Sequence, residues 1–267
     1  ELAHALADQH FDLQKYVKKS KGSDGDVARS AVLEGQASWI MIEYAMRQSG
    51  RSLLDNSLLV VAAATASRFE AEQYPAFASS PLYLRESMLF PYTRGLLFQQ
   101  QVLRRKGKAG FAEVFRNPPL SSQHILEPET YFGRRRSSRP RLPRLRLGRG
   151  YKTISKGEVG QLDHAILIEQ FFDRDTAEQL SPHWRGGGYK IVSKRADERP
   201  VLAYAAEWSS AERAREFFSL YEKICQKKWR PEQVEKSDNR VVGRGSEQTF
   251  ILSLDGSRVA GMEGLPN

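Results

Sequence analysis

With 267 residues, the chain is long enough for one large domain or two smaller ones, each with its own hydrophobic core. Its 40% of hydrophobic residues excludes a disordered polymer, and its single cysteine, Cys225, excludes an intramolecular disulfide. The net charge of +9 suggests a nucleic-acid binder, but eight arginines lie in the acid-free segment 134–149, and removing them leaves +1. No apolar run approaches the roughly 20 residues that span a bilayer.

Helical periodicity dominates the first half of the chain. Apolar residues recur every three to four positions over residues 1–13, which predicts a helix, whereas residues 18–26 are polar and predict a loop. A long helix is predicted to follow and to stop at Gly50. Two more helices are expected over residues 52–73 and 82–106, so the first half is predicted to be all helix.

Several prolines interrupt regular periodicity in the middle of the chain. Residues 117–132 predict a loop with a short helical turn. The arginine-rich segment 134–149 is expected to be an extended linker, because Pro140 and Pro143 remove N–H donors and restrict the residues before them.

The second half mixes both kinds of periodicity. Helices are predicted over residues 158–172, 175–184 and 209–229. Strands are predicted over residues 189–194 and 201–208, joined by a charged turn at 195–200, and over 247–254 and 257–263, joined by a turn at Asp255 and Gly256. The Arg-Gly-Gly-Gly sequence at 185–188 lacks the Lys-Ser/Thr of a phosphate loop and is interpreted as a tight turn.

These patterns predict an α+β protein: an all-helical N-terminal part, followed by a smaller α+β module with an antiparallel sheet. The domain boundaries are expected to be 1–132 for the helical part, 133–150 for the Arg/Pro-rich linker and 151–267 for the α+β domain.

Glu34 is the strongest local anomaly, because its predicted helix is apolar nearly all round. A buried carboxylate is costly unless a cation compensates it. A glycine inside a helix lowers helix stability by about 1 kcal/mol relative to Ala, so Gly35 indicates that another element packs closely against the helix at this position. One interpretation is that Glu34 is a metal ligand on a helix that packs against a partner helix. The other is that Glu34 lies on a narrow solvent-facing stripe together with Glu43 and Arg47.

Glu1 and His4 form an Glu-x-x-His pattern, which is common by chance. A histidine directly before Glu1 would complete His-Glu-x-x-His, with two imidazoles one helical turn apart. Catalytic zinc typically takes three protein ligands, which two histidines and the distant Glu34 would supply. Glu1 would then accept a proton from the attacking water as general base. The alternative for His4 is an ordinary helix histidine.

Several blocks of sequence together resemble one family. They are ELAHALADQHFDL (1–13), VLEGQAS (32–38), LFPYTRG (89–95), PPLSSQHILEPETYF (118–132), GEVGQLDHAILIEQF (157–171) and HWRGGGYKIV (183–192). In this order they resemble a group of bacterial, mostly exported, zincin-like proteins of the metallopeptidase type, with the signature H-E-L-x-H-A-L-x-D-Q-H-F-D-L. The first block is also similar, more distantly, to thermolysin-like gluzincins, in which a glutamate is the third zinc ligand.

The resemblance implies a Zn²⁺-dependent peptidase with His4 and Glu34 as zinc ligands and Glu1 as general base. It places the other histidine ligand one position before Glu1. It also implies a peptide or protein substrate and an exported or cell-envelope location, with no nucleic-acid partner expected.

Two further residues of the first predicted helix are candidates for orienting the site. A metal-bound imidazole usually donates its free N–H to a carboxylate or carbonyl, which makes Asp8, one turn after His4, a candidate partner. The alternative for Asp8 is an exposed helix acid. His10 is a second candidate, with a packed or capping histidine as the alternative.

The sequence departs from the resembled group at Glu127, where that group usually has a histidine before a proline. His124 is the candidate replacement if that histidine stabilises an oxyanion. Tyr92 is another candidate oxyanion donor, and its alternative is an aromatic ring that packs against the turn at Pro91. His164 and His183 have no acidic or cysteine partner at ligand spacing, so structural roles are favoured for both.

Two other functions stay open. The chain could keep a zincin fold without turnover. Alternatively, residues 134–149 could dock nucleic acid or an anionic membrane surface through phosphate contacts, although a solvated linker is preferred because no aromatic residue interleaves with the arginines.

Overall fold

The computed structural model describes residues 1–18, 22–194 and 200–267. The middle of the loop predicted over residues 18–26 lies outside these ranges, and so does the charged turn predicted over residues 195–200, except for its last residue. Among the described residues, none of the helices has both the length and the apolar character that a bilayer crossing needs.

The chain divides into two compact units, Glu1–Arg136 and Ser137–Asn267. The first unit is helical, and the second holds a seven-stranded antiparallel sheet with helices. The predicted α+β class is therefore confirmed. The division falls inside the segment 133–150 that the sequence predicts to be a linker.

The helices of the first unit follow one another with short connections. They are α1 (Leu2–Phe11), α2 (Leu13–Lys18), α3 (Ser23–Gln48), α4 (Ser57–Glu72), α5 (Pro75–Ala78), α6 (Leu82–Lys106), α7 (Gly110–Arg116), α8 (Ser122–Leu126) and α9 (Pro128–Phe132). The predicted bounds of α6 are confirmed, whereas α5 and α7 were not predicted.

The start of α3 corrects the predicted loop, since the helix begins at Ser23. Asp24 and Asp26 lie in its first turn, where the helix dipole favours acids. The helix predicted over residues 1–13 is interrupted at Asp12, whose φ of 51° is left-handed and ends α1.

Helices α3 and α6 form the centre of the first unit, and they touch at glycines. A Cβ atom on Gly35 would lie 2.2 Å from the carbonyl carbon of Gly95, and one on Gly95 would lie 2.2 Å from the carbonyl oxygen of Ala31. The close approach expected at Gly35 is confirmed, and α6 is the element that makes it. Buried polar contacts continue the interface, since Trp39 Nε1 donates to Gln100 Oε1 at 2.7 Å.

The second unit is built on one sheet with the strand order β1-β2-β3-β7-β6-β5-β4. Its elements are β1 (Lys152–Glu158), α10 (Gln161–Phe171), α11 (Arg174–Leu180), β2 (Trp184–Ser193), β3 (Val201–Trp208), α12 (Ala211–Trp229), β4 (Gln233–Ser237), β5 (Arg240–Arg244), β6 (Gln248–Asp255) and β7 (Arg258–Pro266). The predicted hairpin of β6 and β7 is confirmed, with Gly256 at φ 58° in its turn.

Helix α12 packs against the sheet through buried aromatic and aliphatic side chains, among them Phe217 and Phe250. One carboxylate, Glu263 on β7, lies in this interface. It accepts hydrogen bonds from Tyr221, Lys228 and Trp229 of α12, which satisfy its buried oxygens.

The tight turn predicted at 185–188 is wrong, because these residues lie inside β2. Their glycines serve close packing: a Cβ on Gly186 would lie 2.2 Å from the Ser138 carbonyl oxygen, and one on Gly187 would lie 2.7 Å from that of Val159. The predicted helix over 158–172 also began too early, since Glu158 ends β1.

The arginine-rich segment holds neither helix nor strand over residues 137–148, in agreement with its prolines. Its start is fixed by the backbone N–H of Ser138, which donates to the Arg185 carbonyl at 2.8 Å. Further along, Leu145 and Leu147 are half-buried, whereas Arg144 is exposed.

Candidate metal centre

Helices α1 and α3 bring His4 and Glu34 together. The Nε2 atom of His4 lies 3.6 Å from Oε2 of Glu34, and the two side chains are 29% and 28% exposed. Both residues were predicted as zinc ligands from the sequence.

The His4–Glu34 contact leaves a polar atom unsatisfied. His4 Nε2 is buried and has no hydrogen-bond partner among the described residues, and 3.6 Å is too long for a hydrogen bond to Glu34. Two ligand atoms about 2.0–2.1 Å from one tetrahedral zinc lie roughly 3.3–3.4 Å apart. The observed separation of 3.6 Å is close to that value. The imidazole and the carboxylate therefore fit a shared divalent cation.

Tyr92 of α6 lies beside Glu34 and lines the same groove. Its phenol lies close enough to the Glu34 carboxylate to interact with it. Partial burial and this interaction with the negatively charged Glu34 raise the pKa of Tyr92 above its ordinary value. The sequence makes Tyr92 a candidate oxyanion donor, and the structure places it beside Glu34, one of the predicted metal ligands.

Glu1 lies at the N-cap of α1 and lines the same groove as His4, Glu34 and Tyr92. The groove has a volume of about 1090 Å³, and much of its remaining lining is apolar, including Met88 of α6. The predicted general base therefore faces the same space as both predicted ligands.

Asp8 and His10 lie further along α1 and point to other partners. Asp8 Oδ1 accepts the backbone N–H of Leu13 at 2.8 Å and so joins α1 to α2. No hydrogen bond connects Asp8 with His4 among the described residues. His10 lines a second groove of about 580 Å³, together with Trp39 and other residues, and is absent from the lining of the groove that holds His4.

His124 of α8 is buried in a different groove, and both of its ring nitrogens are engaged. Nδ1 accepts the Leu120 N–H at 3.2 Å, so Nε2 carries the proton and donates to the Arg135 carbonyl at 2.6 Å. Burial lowers the pKa of His124, which keeps the ring neutral. The structure therefore does not bring His124 to His4 and Glu34. Glu127 lies between α8 and α9.

His164 is fully enclosed in the core of the second unit. Nδ1 donates to the Gly160 carbonyl at 2.7 Å, so Nε2 accepts the Tyr204 hydroxyl at 2.5 Å. Its ring packs edge-on against Trp208. Together these contacts give His164 the structural role that the sequence favours. His183 Nδ1 lies 3.1 Å from the hydroxyl of Ser209.

The described residues do not bring three His, Cys, Asp or Glu side chains together at metal-binding distance. His4 and Glu34 are the two described residues to which the resemblance assigns a ligand role. The third ligand in that scheme is the histidine placed before Glu1.

Comparison with known proteins bears on the later part of the chain. No curated protein and no solved structure matches it. One family profile matches residues 106–267, a range that begins after His4, Glu34 and Tyr92. Because this range covers more than half of the sequence, the chain belongs to the family described as "Domain of unknown function (DUF8575)".

Proposed function

We propose that this chain carries the metal centre of a zinc-dependent peptidase of the zincin-like group, in which His4 and Glu34 hold Zn²⁺. The observation that supports this most strongly is the buried Nε2 of His4, which has no hydrogen-bond partner among the described residues and faces a carboxylate oxygen at 3.6 Å. A buried polar atom without a partner is costly, and a shared cation removes that cost.

The third ligand in this proposal is a histidine directly before Glu1. Such a residue would lie one helical turn from His4 if α1, which begins at Leu2, were extended by two residues, so both imidazoles would face the same side. The gene codon that precedes Glu1 tests this requirement directly, because only histidine fits.

Each of the remaining groups has a distinct task. Tyr92 interacts with the Glu34 carboxylate and so orients it toward His4. Glu1, which lines the same groove, accepts the proton of the attacking water. Zinc, when bound, supplies Lewis-acid polarisation of the peptide carbonyl. The substrate is a peptide or protein that lies in the groove, and an exported or cell-envelope location follows from the resemblance.

Two substitutions separate metal binding from catalysis. In protein that carries the residue before Glu1, Glu34→Gln should lower zinc affinity by about 10–100-fold or more, since it removes a charged ligand. Glu1→Gln should keep zinc but lose peptide hydrolysis, because the general base is absent. Glu70→Gln, at an exposed acid that lines the same groove, is the matched control for metal binding and should leave zinc affinity unchanged.

The outcomes of this experiment discriminate among the alternatives. Zinc binding without hydrolysis in the unsubstituted protein would indicate a zincin fold without turnover. An unsubstituted protein that binds no zinc would contradict the proposal, and so would equal zinc affinity in the Glu34→Gln and Glu70→Gln proteins.

A further inference from the structure

The groove of the first unit that contains His124, about 360 Å³ in volume, is strongly basic. The end of α6, α7, α9 and the turn that follows α9 enclose it. The cationic side chains that line this basic groove are Arg105, Lys106, Arg116, Arg134 and Arg136. Glu113 is the acid in its lining.

Most of these cations are uncompensated. Among the described residues, Lys106, Arg116, Arg134 and Arg136 form no ion pair. Arg105 is paired with Glu129 at 2.8 Å, and its guanidinium lies 4.3 Å from the ring centre of Phe132. Like charges that converge on a concave surface repel one another and focus a positive potential there, which an anion would relieve.

The turn after α9, which carries Arg134, is fixed by its backbone. The N–H of Arg134 donates to the Tyr131 carbonyl at 3.0 Å, and the N–H of Arg135 donates to the Thr130 carbonyl at 2.9 Å. Arg134 therefore starts from an ordered turn next to α9, and Arg136 follows two residues later. A fixed backbone lowers the conformational entropy that is lost when such a side chain binds a ligand.

His124 and Tyr131 also line the basic groove, and both are neutral, so they do not offset its positive charge. His124 is kept neutral by burial, which lowers its pKa. Tyr131 donates its hydroxyl to the Asn117 carbonyl at 2.8 Å, and burial raises the pKa of the phenol. Because arginine stays protonated at all ordinary pH values, the groove is cationic throughout the neutral range.

We propose that the basic groove binds a small ligand that carries a phosphate or diphosphate group. Guanidinium groups bind phosphate oxygens in pairs of parallel hydrogen bonds, and several arginines around one concave surface provide such pairs from more than one side. The volume of about 360 Å³ lies at the lower end of the range for ligand sites, which fits a small molecule better than a polymer. This site is separate from the proposed metal centre and does not depend on zinc.

Calorimetric titration with inorganic pyrophosphate tests the proposal on the whole chain. Arg116→Ala combined with Arg136→Ala should weaken binding by about tenfold or more, since charged hydrogen bonds to phosphate are lost. Both side chains are exposed, so the fold should be kept. Arg51→Ala combined with Arg94→Ala removes the same charge from exposed positions outside the groove and should change the affinity by less than about twofold.

Vesicles that contain phosphatidic acid distinguish a lipid headgroup from a free phosphate compound as the natural source. Vesicle binding that pyrophosphate displaces would support the groove and identify a lipid. The proposal would be overturned if pyrophosphate did not saturate the protein at millimolar concentration. Equal loss of affinity in the two double variants would also overturn it, since binding would then follow net charge alone.

Discussion

Gly35 of α3 and Gly95 of α6 are in direct backbone contact, and this contact sets the distance between Glu34 and Tyr92. A Cβ on Gly35 would lie 2.2 Å from the carbonyl carbon of Gly95. With both side chains reduced to hydrogen, the helices approach closely enough for the Tyr92 phenol to interact with the neighbouring Glu34 carboxylate. The geometry of the proposed metal centre therefore depends on a packing contact outside it.

Substitution of Gly95 by Ala should destabilise the first unit. The added methyl group would overlap the carbonyl oxygen of Ala31 at 2.2 Å, so a helix has to move. Overpacking of this kind typically costs about 1–3 kcal/mol, and a backbone clash lies at the upper end or beyond. Urea unfolding followed by circular dichroism measures the change. Gly148→Ala, where no atom lies within 4 Å, is the control and should be close to neutral. Equal stability of the two variants would show that α3 and α6 are not in contact at Gly95.

The phenol of Tyr92 should titrate above the ordinary tyrosine pKa of about 10. Partial burial and the Glu34 carboxylate both oppose formation of the phenolate. Glu34→Gln should therefore lower the pKa of Tyr92 toward its ordinary value, whereas Asp55→Asn, at an exposed loop position, should leave it unchanged. NMR titration of labelled tyrosine measures this in the metal-free protein. A Tyr92 pKa that is the same with and without Glu34 would contradict an interaction between the two side chains.

Glu43 should stabilise the first unit at neutral pH. Burial alone would raise its pKa, but hydrogen bonds from the Leu53 N–H, Arg47 and Ser52 outweigh that effect and lower it. A carboxyl whose pKa is lowered by folding contributes stability above its unfolded value of about 4.3, and the contribution disappears as the pH falls through the folded pKa.

Glu43→Gln should accordingly cost roughly 1–3 kcal/mol at pH 7. The difference from the unsubstituted protein should shrink as the pH falls below about 4. Denaturant unfolding at several pH values measures both effects, with the exposed Glu70→Gln as the control. A difference in the free energy of unfolding that grows as the pH falls would contradict a stabilising role for the ionised Glu43.

His164 should make the second unit less stable in mild acid. Its burial lowers the pKa, so the folded ring stays neutral while the unfolded ring takes up a proton below about pH 6.5. The free energy of unfolding should then fall with decreasing pH, by at most about 1.4 kcal/mol per pH unit from this group.

His164→Gln should reduce that slope, whereas the exposed His10→Gln should not. Fluorescence of Trp184 and Trp208, whose rings pack around His164, follows unfolding at this position. An unchanged slope in the His164→Gln protein would show that another group titrates.

The elements that the sequence predicts well are those with strong periodicity or clear turn residues. Helix α6 combines apolar spacing with basic residues in its last turn, and the β6–β7 hairpin has alternating apolar residues around Gly256. Both were predicted with nearly the observed bounds. Strands β1, β4 and β5 were missed. β1 and β4 are edge strands, and β4 is exposed along its whole length, which leaves no apolar alternation. β5 is only five residues long.

The candidate site was predicted from local signals in the sequence, and the features that the sequence missed depend on tertiary contacts. Glu34 and Gly35 stand out within their own helix, and the His4 position follows from helical spacing. The partner of Gly35 is Gly95, in the block that contains Tyr92, but single-sequence spacing cannot pair two helices. The basic groove was also missed, because Arg116 and Arg136 belong to different elements that only the fold brings together. The glycines of β2 were misinterpreted for the same reason: the atoms they approach are distant in sequence.

The central claim is that His4 and Glu34 share one divalent cation. Diffraction at the zinc absorption edge, from crystals of protein that carries the residue before Glu1 and is grown with zinc, tests it most directly. The account predicts an anomalous peak about 2.0–2.2 Å from both His4 Nε2 and Glu34 Oε2, and no such peak in the Glu34→Gln protein. A zinc-loaded crystal with no peak between these two atoms would contradict it.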